Sequence, residues 1–338
     1  MNGLPQADMK GDALDPVARL MTLAGEDMVR VEALLAERMS SETDIIPKVA
    51  RYLVEAGGKR IRPLITVASA RMLGYEGDGH VSLASAVEFI HSATLLHDDV
   101  VDDSDLRRGK TPANQVWSNP HSVLVGDFLF ARAFMMMVDA GSMPALHVLS
   151  RAAAVIAEGE VRQLAAVRDI QVSRSEYMAI IEAKTAELFA AAAHVSPILS
   201  GAGPMLERAM ETYGRELGLA FQLVDDALDY GGVEADLGKN TGDDFREGKI
   251  TLPLALALEA ADADERVFWE RTISGLDQRE GDFEEAVRLM NAHGALDATL
   301  AQARDHAQRA VEALDAAPKN AWSQALAALA EFVVERAY

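Results

Sequence analysis

The chain has 338 residues, no cysteine and a formal net charge of −21, from 53 acidic and 32 basic side chains. The length is enough for one large domain or two ordinary ones, and the lack of cysteine excludes disulfides, thiolate catalysis and cysteine-type zinc sites. The acidic excess argues against nucleic acid as a partner, whereas an anionic substrate is compatible with it if Mg²⁺ bridges carboxylate to phosphate.

The hydrophobic pattern predicts helices along nearly the whole chain, because apolar residues recur at the helical period and alternating β-branched residues are scarce. The predicted helices span 15–39, 43–56, 60–73, 80–103, 119–140, 143–167, 174–195, 205–230, 250–262, 281–292, 295–316 and 320–337. No long low-complexity linker separates them, which favours a single all-α domain at 15–338 behind a mobile tail at 1–14. A bundle of such helices would enclose a central cavity, with functional side chains projecting inward.

The longest uncharged stretch, Leu188–Leu206, raises the question of a membrane-spanning helix. It is alanine-rich and interrupted by Pro197, Gly201, Gly203 and Pro204, which favours a helix end followed by a turn that starts at the first proline. The N-terminal residues include acidic side chains and lack the apolar segment of a secretory signal. The chain is therefore predicted to be soluble and cytoplasmic, without a transmembrane segment.

The same acidic cluster, DDxxD, occurs at 98–102 and again at 225–229, each time after an apolar run. On a helix, the first and last aspartates of each cluster lie on one face. Like charges at this spacing cost a helix about 0.2–0.5 kcal/mol per pair, and burial costs more unless a cation pairs with them. Carboxylate oxygens are the ligands that Mg²⁺ prefers, together with water and substrate phosphates. Two such clusters facing each other would hold several Mg²⁺ ions over a diphosphate, and this pairing is the main indication of function.

His91, Asp98 and Asp102 fall on a single stripe of one predicted helix. A histidine and two aspartates inside an otherwise apolar helix are unusual for a core. Neighbours such as Phe89 and Leu95 leave little polar surface there, so a functional role is favoured over a solvated face.

Two arginines directly follow the first cluster. Arg107 and Arg108 either neutralise the nearby Asp103 and Asp105, which is the usual role of adjacent loop arginines, or bind phosphate oxygens. Beside a diphosphate site the second role is favoured.

Three further basic motifs are weak when each is taken alone. Lys59 and Arg62 flank a predicted helix start after two glycines, an arrangement that suits an anion. Lys239 lies in a glycine-rich loop that Lys249 follows, so the loop is either a lid over a phosphate or an ordinary polar loop. The pair at 184–185, a lysine and a threonine, would by itself be interpreted as exposed.

Taken together and in this order, the segments resemble one family. The segments GGKRIRP, FIHSATLLHDDVVDDSDLRRG, EAKTAELF, FQLVDDALDY and GKNTGDDFREGKITLP, from residue 57 to 253, resemble the all-trans isoprenyl diphosphate synthases, the polyprenyl synthetase family. The resemblance implies an all-α isoprenoid-synthase bundle around a deep central cavity. It also implies a homodimer that condenses isopentenyl diphosphate head-to-tail onto an allylic diphosphate such as farnesyl diphosphate, with three Mg²⁺ ions when substrate is bound.

The resemblance also implies roles for individual positions. The metal would be bound by Asp98, Asp102 and Asp225, with Asp99, Asp226 and Asp229 nearby. The allylic diphosphate would be contacted by Arg107, Lys184, Thr185, Gln222, Lys239 and Lys249. Isopentenyl diphosphate would be held by Lys59, Arg62, His91 and Arg108. Catalysis would depend most on the three metal ligands together with Lys184 and Lys239.

Product length is predicted from the residues just before the first cluster, where short-chain relatives carry a bulky aromatic residue. Here Ala93 and Thr94 are small, and Thr94 lies about 6 Å along the helix from Asp98. The wording of this segment resembles the octaprenyl, solanesyl and decaprenyl synthases, whose expected product is a quinone side chain such as that of ubiquinone. The methionines at 135–137 either line a lower wall of the cavity or, as is favoured, pack in the core.

Three other interpretations stay open from the sequence. A class I terpene cyclase or a head-to-head synthase would carry a different second metal motif, with Ser or Thr and Glu, and would not need the cations predicted to hold isopentenyl diphosphate. A non-catalytic partner subunit would be expected to lose acidic ligands, and all six aspartates are present. Within the family, a farnesyl or geranylgeranyl product is the nearest alternative.

Overall fold

The structure is a computed structural model that describes residues 15–55, 58–102, 110–231 and 241–335. These residues are helical almost throughout and contain no β-strand, so the predicted all-α fold is confirmed. The predicted tail at 1–14 lies outside the described residues.

In the described ranges the α-helices are α1 (Pro16–Leu23), α2 (Gly25–Arg38), α3 (Ile45–Glu55), α4 (Ile61–Met72), α5 (Gly79–Val101), α6 (Ala113–Val116), α7 (Asn119–Asp139), α8 (Met143–Ala166), α9 (Arg174–Ile181), α10 (Glu187–Ser200), α11 (Pro204–Gly231), α12 (Asp243–Glu247), α13 (Leu252–Ala260), α14 (Ala263–Trp269), α15 (Asp282–Ala292), α16 (Ala295–Ala313) and α17 (Ala321–Glu335). Two π-helical turns, Glu182–Ala186 and Glu270–Ser274, and a 3₁₀ turn, Leu314–Ala316, extend α9, α14 and α16.

Helix α5 runs through the middle of the bundle and explains its own composition. It packs most extensively against α7 and also contacts α2, α4 and α10. Because neighbours surround it, nearly every residue from His80 to Ile90 is buried, and a helix buried on all sides is apolar all round. The polar stripe seen in the sequence begins at His91, which is partly exposed. The first acidic cluster therefore ends a helix that is anchored in the core.

Helix α11 brings the second acidic cluster to the same region. It packs along α10 and α16, and two glycines allow the close approach to α10. A Cβ atom on Gly214 would lie 2.2 Å from the backbone oxygen of Phe189, and one on Gly218 would lie 2.6 Å from Cα of Ala186. Only glycine fits at these distances, so the spacing between α10 and α11 is set by side-chain size.

Several predicted boundaries were wrong. The predicted helix at 15–39 is two helices that meet at Ala24, and the predicted break at Pro197 is absent because α10 continues to Ser200. Pro197 lies inside the helix, where its missing N–H removes one helical hydrogen bond without ending the helix. The helix ends instead at Gly201, which has φ +64°, and the carbonyl of Pro197 accepts a hydrogen bond of 3.0 Å from the nitrogen of Ala202.

Helix α14 and the π-helical turn that extends it were not predicted, although the sequence contains a signal for them. Asp262 caps the helix by accepting bonds from the backbone nitrogens of Asp264 and Glu265, and Glu265 returns a bond to the backbone of Asp262. This is a capping box, which an acidic residue followed three positions later by glutamate indicates. The segment between the predicted helices 250–262 and 281–292 is therefore partly helical.

One described helix, α7, is long and apolar enough to cross a membrane by length and composition. Its inner side, which includes Val125, Leu129, Ala133 and Met137, is buried in the core. A core helix of a soluble protein meets the same criterion, and the absence of a transmembrane segment stays a prediction.

Candidate active site

The first acidic cluster presents two carboxylates to the interior space and turns the third away from it. Asp98 and Asp102 lie at the C-terminal end of α5, where the nitrogen of Asp102 donates to the carbonyl of Asp98 over 2.8 Å. Asp99 is fully buried, and its backbone oxygen accepts a hydrogen bond of 3.0 Å from Asn114 on α6. The predicted roles, in which the outer two aspartates bind the metal and Asp99 supports them, stay predictions.

Two lysines lie beside these carboxylates. Lys184 Nζ is 3.8 Å from Oδ2 of Asp98, and Lys249 Nζ is 2.9 Å from Oδ2 of Asp102. Burial lowers the pKa of Lys249, but the charges of Asp102 and Glu247 outweigh burial and raise it above its ordinary value. Both lysines were predicted at the diphosphate site, and both are charged groups placed directly against the first cluster.

In the second cluster, the carboxylate of Asp226 accepts hydrogen bonds from two side chains. The amide nitrogen of Gln222 donates to Oδ1 of Asp226 over 2.8 Å, and the hydroxyl of Tyr177 donates to Oδ2. Thr185 donates in turn to the amide oxygen of Gln222 over 2.9 Å. Burial raises the pKa of Asp226 to about 7, although the bonds from Tyr177 and Gln222 oppose that effect. Thr185 and Gln222, predicted as substrate contacts, therefore also support this buried carboxylate.

Asp229 holds the first residues of α12. Its two carboxylate oxygens accept bonds from the backbone nitrogens of Asp243, 3.3 Å away, and Asp244, 3.0 Å away. Gly242 has φ +84°, and a Cβ there would collide with the ring of Phe283. Asp229 therefore sets the start of α12, which leads to Lys249.

Lys249 and Asp244 connect the two clusters electrostatically. Burial raises the pKa of Asp244 well above its ordinary value, and the charges of Asp229, Asp226 and Asp225 raise it further while Lys249 lowers it. Lys249, which bonds to Asp102, thus lies electrostatically between the two clusters. A cavity of about 150 Å³ opens here, and its lining includes Lys184, Thr185, Gln222, Asp226, Asp244 and Lys249.

Sequence reasoning missed Glu160 on α8. Its Oε2 accepts a hydrogen bond of 2.7 Å from Lys184 Nζ, and burial followed by the charge of Asp98 raises its pKa. Lys184 lies in a π-helical turn, a distortion that is frequent at functional sites. A Cβ on Gly159 would lie 2.8 Å from the backbone nitrogen of Lys184, so an isolated glycine beside an acid in a helix was the available signal.

The residues predicted to hold isopentenyl diphosphate lie where α4 begins and α5 passes. Lys59 Nζ is 5.2 Å from the ring centroid of Phe332, and the guanidinium carbon of Arg62 is 4.3 Å from that of Phe189. His91 lies on α5 and is partly exposed. These cations occupy aromatic faces at the same end of α4, separate from the lysines beside the aspartates.

The predicted chain-length residues differ in exposure. Ala93 is fully buried, whereas Thr94 keeps some exposed surface on the face of α5 that carries Asp98. Met136 and Met137 are buried in the core, as favoured from the sequence, whereas Met135 is 47% exposed. The predicted site residues Arg107, Arg108 and Lys239 lie outside the described residues.

The metal prediction depends on Asp98, Asp102 and Asp225. Within the described ranges no three His, Asp or Glu side chains converge closely enough to hold a metal ion. The donors at hand are carboxylates alone, which is the chemistry of Mg²⁺ sites, and the raised pKa values of Asp226 and Asp244 reflect carboxylates crowded in a poorly solvated space. The donor set thus fits a hard divalent cation.

Comparison with known proteins identifies the class. The family model described as polyprenyl synthetase matches residues 43–290. The octaprenyl diphosphate synthase of Escherichia coli (strain K12) is 46% identical over 320 residues, covering 94% of this chain and 98% of that protein. Its namesake from Haemophilus influenzae is 43% identical over 330 residues, covering 98% of this chain and 100% of that protein.

Solved structures agree. A polyprenyl synthase from Caulobacter crescentus CB15, complexed with calcium and isoprenyl diphosphate, is 55% identical, with TM-score 0.92 and coverage of 95% of this chain and 98% of that one. A decaprenyl diphosphate synthase from Rhodobacter capsulatus is 51% identical, also with TM-score 0.92, and covers 96% and 100%.

The helical bundle and its two acidic clusters are those of a prenyltransferase. The chain belongs to the polyprenyl synthetase family, as the resemblance of its motifs predicted, and within that family it is a long-chain trans-polyprenyl synthase.

Proposed function

We propose that this enzyme condenses isopentenyl diphosphate head-to-tail onto an allylic diphosphate and releases a product of the octaprenyl type, within a range of eight to ten units. The observation that carries the proposal is that Lys184 and Lys249, which contact Asp98 and Asp102 of the first cluster, line one cavity together with Asp226 of the second. The similarity to octaprenyl and decaprenyl synthases supports the product range. A quinone side chain is the proposed use of the product.

Mg²⁺ is the proposed cofactor, and three ions are the proposed number with substrate bound. Asp98 and Asp102 on α5 and Asp225 on α11 would hold it. Support comes from the carboxylate donor set and from the calcium named in the similar Caulobacter structure. When bound, such a cation would neutralise the charge that develops on a departing diphosphate.

The basic residues of the chain would stabilise the diphosphate directly. Lys184 and Lys249 are close enough to the aspartates to exchange a carboxylate partner for a phosphate oxygen. Lys249 is mostly shielded from solvent, and in such surroundings a fixed positive charge stabilises developing negative charge more strongly than it would in water. Arg107 and Lys239 are assigned to the same diphosphate on the family motif alone.

Isopentenyl diphosphate would be held by Lys59, Arg62 and His91, with Arg108 assigned from the motif. Their role is positioning, because the double bond must face the allylic carbon while water is excluded from the cation that forms there. The departing diphosphate can accept the final proton, so no acid–base pair from the protein is required. This account accommodates the lack of a nucleophilic cysteine.

The enzyme is proposed to be a soluble, cytoplasmic homodimer. Support for the dimer comes from the outer side of α7, where four apolar side chains are between 40% and 65% exposed: Leu124, Phe134, Met135 and Val138. A contiguous apolar face of this kind marks an interaction surface. A second copy of the chain could bury it against the same face, as two-fold symmetry requires.

The direct test supplies farnesyl diphosphate, labelled isopentenyl diphosphate and Mg²⁺ to the purified protein, followed by thin-layer separation of the dephosphorylated products. The expected products have eight to ten isoprene units, as the names of the similar synthases suggest. Products that stop at three or four units would contradict the chain length and leave the family intact. A cyclic hydrocarbon would contradict the reaction class.

A further inference from the structure

Helix α4 begins at a residue with an unusual backbone. Arg60, which precedes the helix, has φ +48° and ψ +35°, a left-handed conformation that residues with a side chain rarely adopt. Such a conformation persists only where surrounding contacts hold it, and it is concentrated at functional sites. Arg60 stands between Lys59 and Arg62, so its backbone angles set the directions in which these two cations leave the chain.

Three partners from three segments hold the side chain of Arg60. Its Nη1 donates to Glu88 over 2.6 Å, its Nε donates to Glu32 over 2.9 Å, and its Nη2 donates to the backbone oxygen of Val54 over 3.1 Å. Glu88 and the side chain of Arg60 are 5% and 12% exposed. Removing Arg60 would leave the buried carboxylate of Glu88 without this ion pair, which is strongly unfavourable.

Glu88 connects this contact to the helix of the first acidic cluster. It lies on α5 three residues before His91, and residues at that spacing share one face of a helix. Burial raises the pKa of Glu88, and the positive charges of Arg60 and Arg62 oppose that rise. Glu88 therefore lies close to the positive charges of both Arg60 and Arg62.

Lys59 and Arg62 both contact aromatic rings. Each lies over an aromatic ring, of Phe332 and Phe189 respectively, and a ring face attracts a cation without fixing the direction of its N–H groups. The backbone turn between them therefore helps to set the direction in which the two side chains meet a ligand.

We propose that Arg60 and Glu88 are positioning residues for isopentenyl diphosphate, because their buried ion pair holds the left-handed turn that presents Lys59 and Arg62 to that substrate beside His91. The inference rests on the proposed function, which assigns the substrate to these three residues. The hydrogen bonds described for Arg60 go to Glu32, Glu88 and Val54 and to neither acidic cluster, so the allylic site should be unaffected.

The test uses two variants of the full-length enzyme. Arg60→Gly removes the guanidinium and lets the backbone adopt the left-handed conformation freely, while Glu88→Gln removes the partner's charge and keeps its shape. Each is expected to raise KM for isopentenyl diphosphate about tenfold, with kcat and KM for farnesyl diphosphate within about twofold of the parent enzyme. Calorimetric titration with isopentenyl diphosphate alone should show the same weakening.

Arg71→Gln is the matched control. Arg71 lies at the other end of α4 and holds the buried Asp27 of α2 through bonds of 2.6 Å and 2.8 Å. Its loss should lower the melting temperature without changing KM for isopentenyl diphosphate. The double variant of Arg60 and Glu88 should bind isopentenyl diphosphate no more weakly than the single variant with the lower affinity, because the two residues act as one unit.

Lys59→Ala separates this inference from the proposed function. If it raises KM for isopentenyl diphosphate while Arg60→Gly and Glu88→Gln leave that KM within about twofold of the parent, the inference is wrong and the proposed function stands. If Lys59→Ala changes nothing, the substrate site itself is wrongly assigned. An equal rise in KM in the Arg71 control would show a general structural effect and would also overturn the inference. Should Arg60→Gly fail to fold, Glu88→Gln decides alone.

Discussion

Single residues outside the DDxxD patterns determine how the second cluster is held. Tyr177 and Gln222 donate to opposite oxygens of Asp226, which is almost completely buried. A carboxylate bonded on both oxygens is fixed in its rotamer, so we expect Asp226 to support the backbone beside Asp225 rather than to bind the metal itself.

Tyr177→Phe tests this support. The change removes one donor and leaves a buried acceptor unsatisfied, at a cost of about 1–3 kcal/mol in the free energy of unfolding. We also expect weaker Mg²⁺ binding, because Asp225 loses its fixed neighbour, and titration of Mg²⁺ into protein with inorganic diphosphate measures it.

The matched control is Tyr213→Phe, which removes a buried hydroxyl that donates over 2.8 Å to the backbone of Leu326, away from the acidic clusters. It should lose stability while Mg²⁺ affinity stays unchanged. Equal affinity in both variants would show that Tyr177 contributes stability alone.

The two candidate chain-length residues should respond differently to enlargement. Thr94→Phe adds bulk on the partly exposed face below Asp98 and is expected to shorten the product while turnover continues. Ala93→Phe places a ring at a fully buried position and should also destabilise the fold, by about 1–3 kcal/mol from overpacking. Product separation and thermal unfolding measure the two effects. Thr94→Val, which keeps the volume, is the control, and an unchanged product from Thr94→Phe would place the limit elsewhere.

At the scale of helices, the seam between α10 and α11 controls the site. The π-helical turn with Lys184 leads directly into α10, and α11 carries the second cluster, so the distance between these helices sets the width of the cavity. Gly214 and Gly218 allow a backbone contact that no larger residue permits.

Gly214→Ala should therefore separate the helices. The added methyl group meets the backbone oxygen of Phe189, which cannot rotate away, and such overpacking costs about 1–3 kcal/mol. We expect a lower melting temperature and a higher KM for the allylic diphosphate, measured by calorimetry and steady-state kinetics. Gly25→Ala is the control: a Cβ there meets no atom within 4 Å, and the variant should be as stable as the parent or slightly more so. Normal kinetics in Gly214→Ala would show that the seam tolerates expansion.

At the scale of the whole molecule, the outer face of α7 predicts assembly. Replacing Leu124 and Val138, which are 65% and 63% exposed, by glutamate should dissociate the proposed homodimer, since it would place like charges opposite each other across a two-fold axis. Sedimentation measures the mass. Val29→Glu on α2, at an equally exposed apolar position, should leave the dimer intact. A monomeric parent enzyme would refute the proposal outright.

The sequence predicted those features that depend on residues close together in the chain. Asp98 and Asp102 could be assigned to one face of a helix because helical spacing fixes that relation, and α5 could be recognised as a core helix from its apolar composition. The family and the fold followed from motifs in a fixed order. Single boundaries were harder to predict. At the end of α10, for example, several prolines and glycines follow one another, and the sequence does not show which of them ends the helix.

Pairings between distant segments could not be predicted in this way. Glu160 meets Lys184, Tyr177 meets Asp226, and Arg60 meets Glu88. Apart from the glycine beside Glu160, nothing local in the chain distinguishes these partners from other acids and tyrosines. They are set by how the helices cross, which is decided by packing over the whole core. Supporting residues therefore emerged only from the three-dimensional arrangement, whereas the proposed binding residues follow from the motifs.

The salt links of Lys184 and Lys249 bear on how a catalytic cycle ends. When pyrophosphate departs, clustered carboxylates without cations nearby would repel one another and destabilise the entrance of the active site. Here each lysine can swing back to an aspartate a few ångströms away, so the empty enzyme carries its own counter-ions. We expect these contacts to limit repulsion among the aspartates between rounds of elongation.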